Sequence, residues 1–173
     1  MAKSTSNAAD EVEDIRREVA AYVAAGADES VQRVITAVNR LSRRLNRWYD
    51  RQLADLGISS GEWRVLEQLA RTAGDDPLTP SRLAEESNVA PSSMTHRLDR
   101  LAARGLIARQ PDITNRTRVL VRLTDAGYEI YAKAIRGADL VESDLLAGLD
   151  ADQVEELGAL LEHVIAGLED AHL

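Results

Sequence analysis

The chain has no cysteine and no phenylalanine, and its aromatic residues are two Trp and four Tyr among 173 positions. Without cysteine there are no disulfides, no thiolate metal sites and no thiol chemistry, redox or catalytic. With so few rings the core must come from Leu, Val, Ile and Ala, which suits packed helices better than a β-sandwich. Four Pro and ten Gly leave long stretches unbroken. No run approaches the ~20 apolar residues of a membrane span. The opening MAKSTSNAADEVEDIRREV lacks an apolar centre flanked by basic residues and a small-residue cleavage pattern, so a cytoplasmic location is expected. There is no Gly-rich phosphate loop, nucleophile elbow or HExxH, so an enzyme is not expected. His163 and His172 lie in an acidic helix without a converging ligand set; no metal and no cofactor are expected.

Positive charge is scarce overall, with a net charge of -8, but it is concentrated. Residues 79–122 hold eight Arg against four acids, whereas residues 137–173 hold ten acids and no Lys or Arg. Phosphate attraction is local over a Debye length of ~8–10 Å, so a basic middle between acidic ends suits a nucleic-acid partner.

The length suits one domain of ordinary size. A first helix is expected over 8–25, with Ile15, Val19, Tyr22 and Val23 on one face, after a disordered tail at 1–9. A second runs from Ser30 to Asp55 with Val31, Val34, Val38, Leu41, Leu45 and Trp48 at three- and four-residue steps, and Gly57 stops it. Ser59 and Glu62 form a capping box for a third helix that ends near Thr72, followed by a loop at 74–77. Thr79-Pro80 opens a short fourth helix that buries Leu83 and Ala84. Pro91 opens a fifth with Met94, Leu98 and Leu101 as its buried stripe, closed by Gly105. So tight a join between two short helices is the helix-turn-helix pattern. Residues 106–109 and 119–123 read as two strands of a hairpin, with Pro111, Asp112 and Asn115 in the turn. Thr124 caps a helix to about residue 149, with Tyr131, Ile135, Ala138, Val141 and Leu145 in register. Asp150 and Gln153 cap a last helix striped with Val154, Leu157, Leu161, Val164 and Leu168.

The fold class that follows is mainly α, α+β winged helix: a winged helix-turn-helix lobe at 57–123, with helices at 10–56 and 124–173 forming a dimerisation domain. A heptad-like final helix has little left to pack on in one chain, hence a homodimer. The second helix of such a motif fits the major groove of duplex DNA, and its N-terminal residues reach base edges. Those are Pro91, Ser92, Ser93, Thr95, His96 and Arg97, with Arg100 a turn further on. Thr79, Ser81 and Arg82 are placed to hold phosphates. Asn115, Arg116 and Arg118 sit at the hairpin tip, suited to a narrow minor groove. Trp48 and Trp63 are candidates to line an aromatic ligand pocket. The rival readings are a winged-helix interaction module without DNA binding, and an enzyme with an unrecognised site.

The run SSMTHRLDRLAARGLIARQPDITNRTRVLVRLTDAG, with GEWRVLEQLA and TPSRLAEESNVA before it, resembles the multiple-antibiotic-resistance regulator (MarR) family over about residues 30–170. VLVRLTDAG at 119–127 is its most specific part. The resemblance implies a two-fold dimer with interlocked terminal helices, and a repressor that releases DNA when a small aromatic or anionic effector binds. The family's wing has Asp-x-Arg where this chain has Asn115 and Thr117. The extra first helix is similar to a urate-responsive subgroup, but Val19 stands where that subgroup has Trp, and Arg64 follows Trp63 where it has Asp; Arg97 matches. Urate is not supported, and Arg64 instead favours an anionic effector.

Overall fold

A computed structural model describes residues 2–72, 78–112, 115 and 118–170, with side chains from 9 to 167. It divides into two compact units, 1–55 and 56–173. The first contains helices α1 (Ala2–Ala24) and α2 (Glu29–Asp55). Helix α1 begins earlier than expected and takes in most of the stretch read as a tail; Ala2 to Ala9 contain no Pro or Gly to break a helix. The two helices are tied by Arg40, which reaches Glu18 at 2.9 Å, and by Arg44, which reaches Glu11 at 2.8 Å. Val19 and Thr36 are buried. The Asp28 side chain accepts from the Ser30 hydroxyl and the Val31 amide at the start of α2. The helices border an open, mainly apolar groove of about 1190 Å³, lined by residues such as Val12, Ile15, Val23, Val34 and Ala37.

The second unit contains α3 (Ser60–Arg71), α4 (Pro80–Glu86), α5 (Pro91–Ala103), β1 (Ile107–Pro111), β2 (Val119–Leu123), α6 (Asp125–Leu146) and α7 (Ala151–Asp170). Three helix starts follow the expected chemistry. Ser59 and Glu62 form a reciprocal capping box, Thr79 caps α4, and Thr124 caps α6. Asp150 and Gln153 exchange a second reciprocal pair at the start of α7. One core gathers Val65, Leu66 and Leu69 of α3, Leu83 of α4, Met94, Leu98 and Leu101 of α5, and Leu106, Ile107 and Val121 around the hairpin. Burying a side chain of this size contributes about 1.5–3 kcal/mol.

The hairpin is antiparallel, with Ile107 opposite Leu123 and Pro111 opposite Val119. Two details differ from expectation. Pro111 is not in the turn but ends β1, a position where a missing amide donor costs little. Leu106 precedes the strand: Gly105, at φ +69°, stops α5, and the Leu106 amide bonds back to the Leu101 carbonyl at 3.0 Å. Leu78, in no expected element, forms a bridge on the other edge of β2, and Val121 donates to its carbonyl at 2.8 Å.

Helix α6 ends at Leu146, three residues short of the expected end, as Ala147-Gly148 turns into the next cap. Its inward face is built on Gly127 and Ala134. Ile135 and Leu145, two of the apolar residues expected in register on this helix, are exposed. So are Leu140 of α6 and Val154, Leu157, Leu161 and Val164 of α7.

Candidate nucleic-acid interface

The join between α4 and α5 is made by Asn88, at φ 49°, a left-handed conformation that Asn tolerates better than most residues. The Val89 amide bonds back to the Ala84 carbonyl at 3.0 Å, closing α4 as the chain turns. Met94, Leu98 and Leu101 anchor α5 in the core, which leaves Pro91, Ser92, Ser93, Thr95 and His96 exposed on the opposite side. Ala90 supplies no side-chain cap, so the first-turn amides of α5 are not bonded by the side chain of their own N-cap residue. Those amides and the small hydroxyls beside them form a donor-rich surface of the kind that takes phosphate oxygens. The Thr95 hydroxyl already donates to the Pro91 carbonyl at 2.9 Å, which leaves its lone pairs to accept. Thr79 is half-buried at the α4 cap, accepting from the Arg82 amide at 3.3 Å, and Ser81 and Arg82 are exposed beside it.

The arginines do not behave as a loose positive cloud. Arg97 is turned inwards: Gly61 lies so close that a Cβ there would stand 2.9 Å from its guanidinium carbon. Its Nη1 is buried with no hydrogen-bond partner among the described residues. Arg100 donates to Glu62 Oε2 at 3.0 Å, and Arg104 donates to the Leu56 and Gly57 carbonyls. Arg82 pairs with Glu86 at 2.7 Å, Arg109 with Asp99 at 2.7 Å, and Arg118 with Asp112 at 3.7 Å. The excess of arginine at 79–122 therefore overstates the charge available to a partner. Arg97, expected to reach a base edge, is half-buried here, with its guanidinium seated where Gly61 has no Cβ.

The sequence presents Glu62 only as half of a capping box. In the fold it is 1% exposed, and its Oε2 also accepts from the Ser59 amide at 2.9 Å and hydroxyl at 2.7 Å. Burial pushes the carboxyl up. The Ser59 hydroxyl and amide, with the charges of Arg100 and Arg104, outweigh it and hold it below the usual value.

At the wing, Asp112 is buried and accepts from the Asn115 amide at 3.3 Å, while the Arg118 amide donates to the Asn115 carbonyl at 2.9 Å. Asp112, expected only as a turn former, supplies the carboxylate for Arg118. Asn115 and Arg118 are exposed; Arg116 and Thr117 lie outside the described residues.

Trp48, in the first unit, meets Tyr49 edge to face at 5.6 Å. Trp63, in the second, is half-buried and stacks on Tyr131 of α6 at 5.3 Å and 12°, with Tyr128 6.1 Å beyond; Arg64 is exposed. Neither tyrosine stands out from the sequence as a ligand candidate, although the two lie three residues apart on one helix face. No helix of the described residues is long and apolar enough to cross a membrane, and these residues contain no group of three or more His, Asp or Glu able to hold a metal.

Two short helices joined by a tight turn, the second exposed at its N-terminus and followed by a two-stranded hairpin, define a winged helix-turn-helix protein. A family model described as "MarR family" matches residues 56–116. The multiple antibiotic resistance protein MarR of Escherichia coli strain K12 is 33% identical over 135 residues, 77% of this chain and 89% of that protein. The transcriptional regulator PecS of Dickeya dadantii is 28% identical over 131 residues, 76% of this chain and 79% of PecS. Wild-type apo MarR from E. coli superposes with a TM-score of 0.57 at 32% identity, covering 73% of this chain and 95% of that structure. A MepR–DNA complex of Staphylococcus aureus superposes with a TM-score of 0.59 at 22% identity, over 77% and 94% of the two chains. The chain belongs to the MarR family. It is a transcriptional regulator and not an enzyme.

Proposed function

We propose that the chain binds duplex DNA as a homodimer at a pseudo-palindromic operator, as a cytoplasmic repressor released by a small effector. The observation that carries this reading is the Pro91–His96 turn of α5, polar and exposed over a fully buried Met94, Leu98 and Leu101 stripe. Its small hydroxyls and first-turn amides suit close approach to a duplex, and Ser92, Ser93, Thr95 and His96 are the base-reading candidates. Thr79, Ser81 and Arg82 take phosphates, and Asn115, Arg116 and Arg118 approach the minor groove. The MepR structure with DNA supports the same use of the fold.

Dimerisation is supported by the exposed apolar rows of α6 and α7 and the open groove between α1 and α2, too much apolar surface for one copy in water. The effector is aromatic or anionic. The Trp63–Tyr131–Tyr128 stack offers planar surface, Trp48 is a further aromatic candidate, and Arg64 beside Trp63 offers positive charge.

The test is selection of a site from random duplexes, followed by footprinting of the selected site. A two-fold symmetric footprint with half-sites about 10 base pairs apart is expected. Failure to enrich any sequence, or a footprint without symmetry, would refute this reading.

A further inference from the structure

Arg97, Arg100 and Arg104 are spaced i, i+3, i+7, so they lie on one face of α5. All three turn to the same short segment, Leu56–Glu62, at the entry to α3. Arg104 takes two backbone carbonyls, Arg100 takes the Glu62 carboxylate, and Arg97 lies over Gly61. Held by Arg100 and Arg104 at two points along that face, with Arg97 packed beside Gly61, the helix cannot roll about its axis without breaking charged hydrogen bonds.

The middle contact is costly. Glu62 is 1% exposed, and its Oε1, like Arg97 Nη1, is buried without a hydrogen-bond partner among the described residues. The Arg100 side chain is 66% exposed, so its attraction to Glu62 is screened by water and the pair is weak evidence for stability. What such a pair provides is direction. Glu62 itself is fixed by Ser59, so Arg100 is tied to a carboxylate that cannot swing.

We propose that Glu62 is a positioning residue for DNA reading: through Arg100 it sets the roll of α5, and hence where Ser92, Ser93, Thr95 and His96 meet the base edges. This rests on the DNA-binding reading above. In this assignment Arg97 and Arg100 act on α5 rather than on bases. The adjacent Trp63 belongs to the aromatic stack with α6, so the same turn of α3 joins the recognition helix to the rings expected to meet an effector.

The test uses full-length protein, a duplex selected for it from random sequence, and a shuffled duplex of equal length. Glu62→Gln keeps the size and an acceptor for Ser59 but removes the charge that holds Arg100. Its affinity for the selected duplex should fall about tenfold, with binding to the shuffled duplex and the salt slope unchanged. Arg100→Lys should lose selectivity in the same direction while keeping its charge. The double variant should be little worse than either single one, because both break one contact. If Arg100 instead contacts phosphate, Arg100→Ala weakens both duplexes alike and lowers the salt slope by about one, while Glu62→Gln leaves selectivity intact. That pattern, or additive losses, overturns the proposal. If Glu62→Gln does not fold, Arg100→Lys decides the matter, with circular dichroism confirming its helices. A wild-type protein that selects no site refutes the functional reading itself; one that selects a site while both variants keep full selectivity refutes only this inference.

Discussion

Gly127 shows how much a single position in VLVRLTDAG carries. A Cβ there would stand 2.0 Å from the Leu106 carbonyl oxygen and 2.9 Å from the Leu123 side chain. At the cap just before it, Thr124 donates its hydroxyl to the Gly105 carbonyl at 2.6 Å and its amide to the Leu106 carbonyl at 3.2 Å. The motif is therefore a weld between the end of α5 and the start of α6. Gly127→Ala should cost about 2 kcal/mol or more, read as a lower urea midpoint, because the atom it meets is backbone and cannot swing away. Glu62 makes a second prediction. Its folded carboxyl titrates below the usual value near 4.5, so its contribution is complete above that value. It is lost as pH falls through the lower folded value. Urea midpoints followed from about pH 6 downwards should fall more steeply in wild type than in Glu62→Gln; parallel curves would remove Glu62 from the acid limb.

At the scale of elements, the wing is better secured than a two-stranded ribbon would be. Leu78 adds a bridge to the outer edge of β2 and is 1% exposed. Leu78→Ala should cost about 3 kcal/mol in chemical unfolding, and it should loosen the hairpin, seen as faster amide exchange at Val121. At the tip, Arg116→Ala combined with Arg118→Ala should weaken binding to a selected duplex and flatten its salt dependence; unchanged binding would take the wing out of the interface. Most elements are legible in the sequence because their signals are local. Ser59-x-x-Glu62, Thr79-Pro80, Thr124 and Asp150-x-x-Gln153 are short-range chemistry, and the strand at 119–123 follows from alternation. The tertiary uses of charge are not legible. That Asp112 holds Arg118, or that Glu62 is buried beneath Arg100 thirty-eight residues away, depends on chain reversals that no local pattern encodes. Only the spacing of Arg97, Arg100 and Arg104 hints that three positive charges share a face. Leu78 escapes a sequence reading because a single bridge has no periodicity.

At the scale of the whole molecule, the exposed rows on α6 and α7 are expected to meet a second copy. Leu157→Glu with Leu161→Glu should convert a dimer into a monomer, checked by sedimentation at micromolar protein. A protein that is already monomeric in wild-type form would refute the dimer. The monomer should also lose most of its affinity for a symmetric site, since two half-sites would no longer be held together.

The arginines of α5 share one side of the helix. A single helix divides its labour by side: arginines on one flank face the Leu56–Glu62 segment, while hydroxyls and a histidine on the other are turned away from the core. Substitutions at Ser92, Ser93 and His96 touch no core residue and should change stability little. The operator preference of such a regulator can therefore drift through those positions while the scaffold stays constant. Relatives that keep the same anchoring row would then be free to serve different genes.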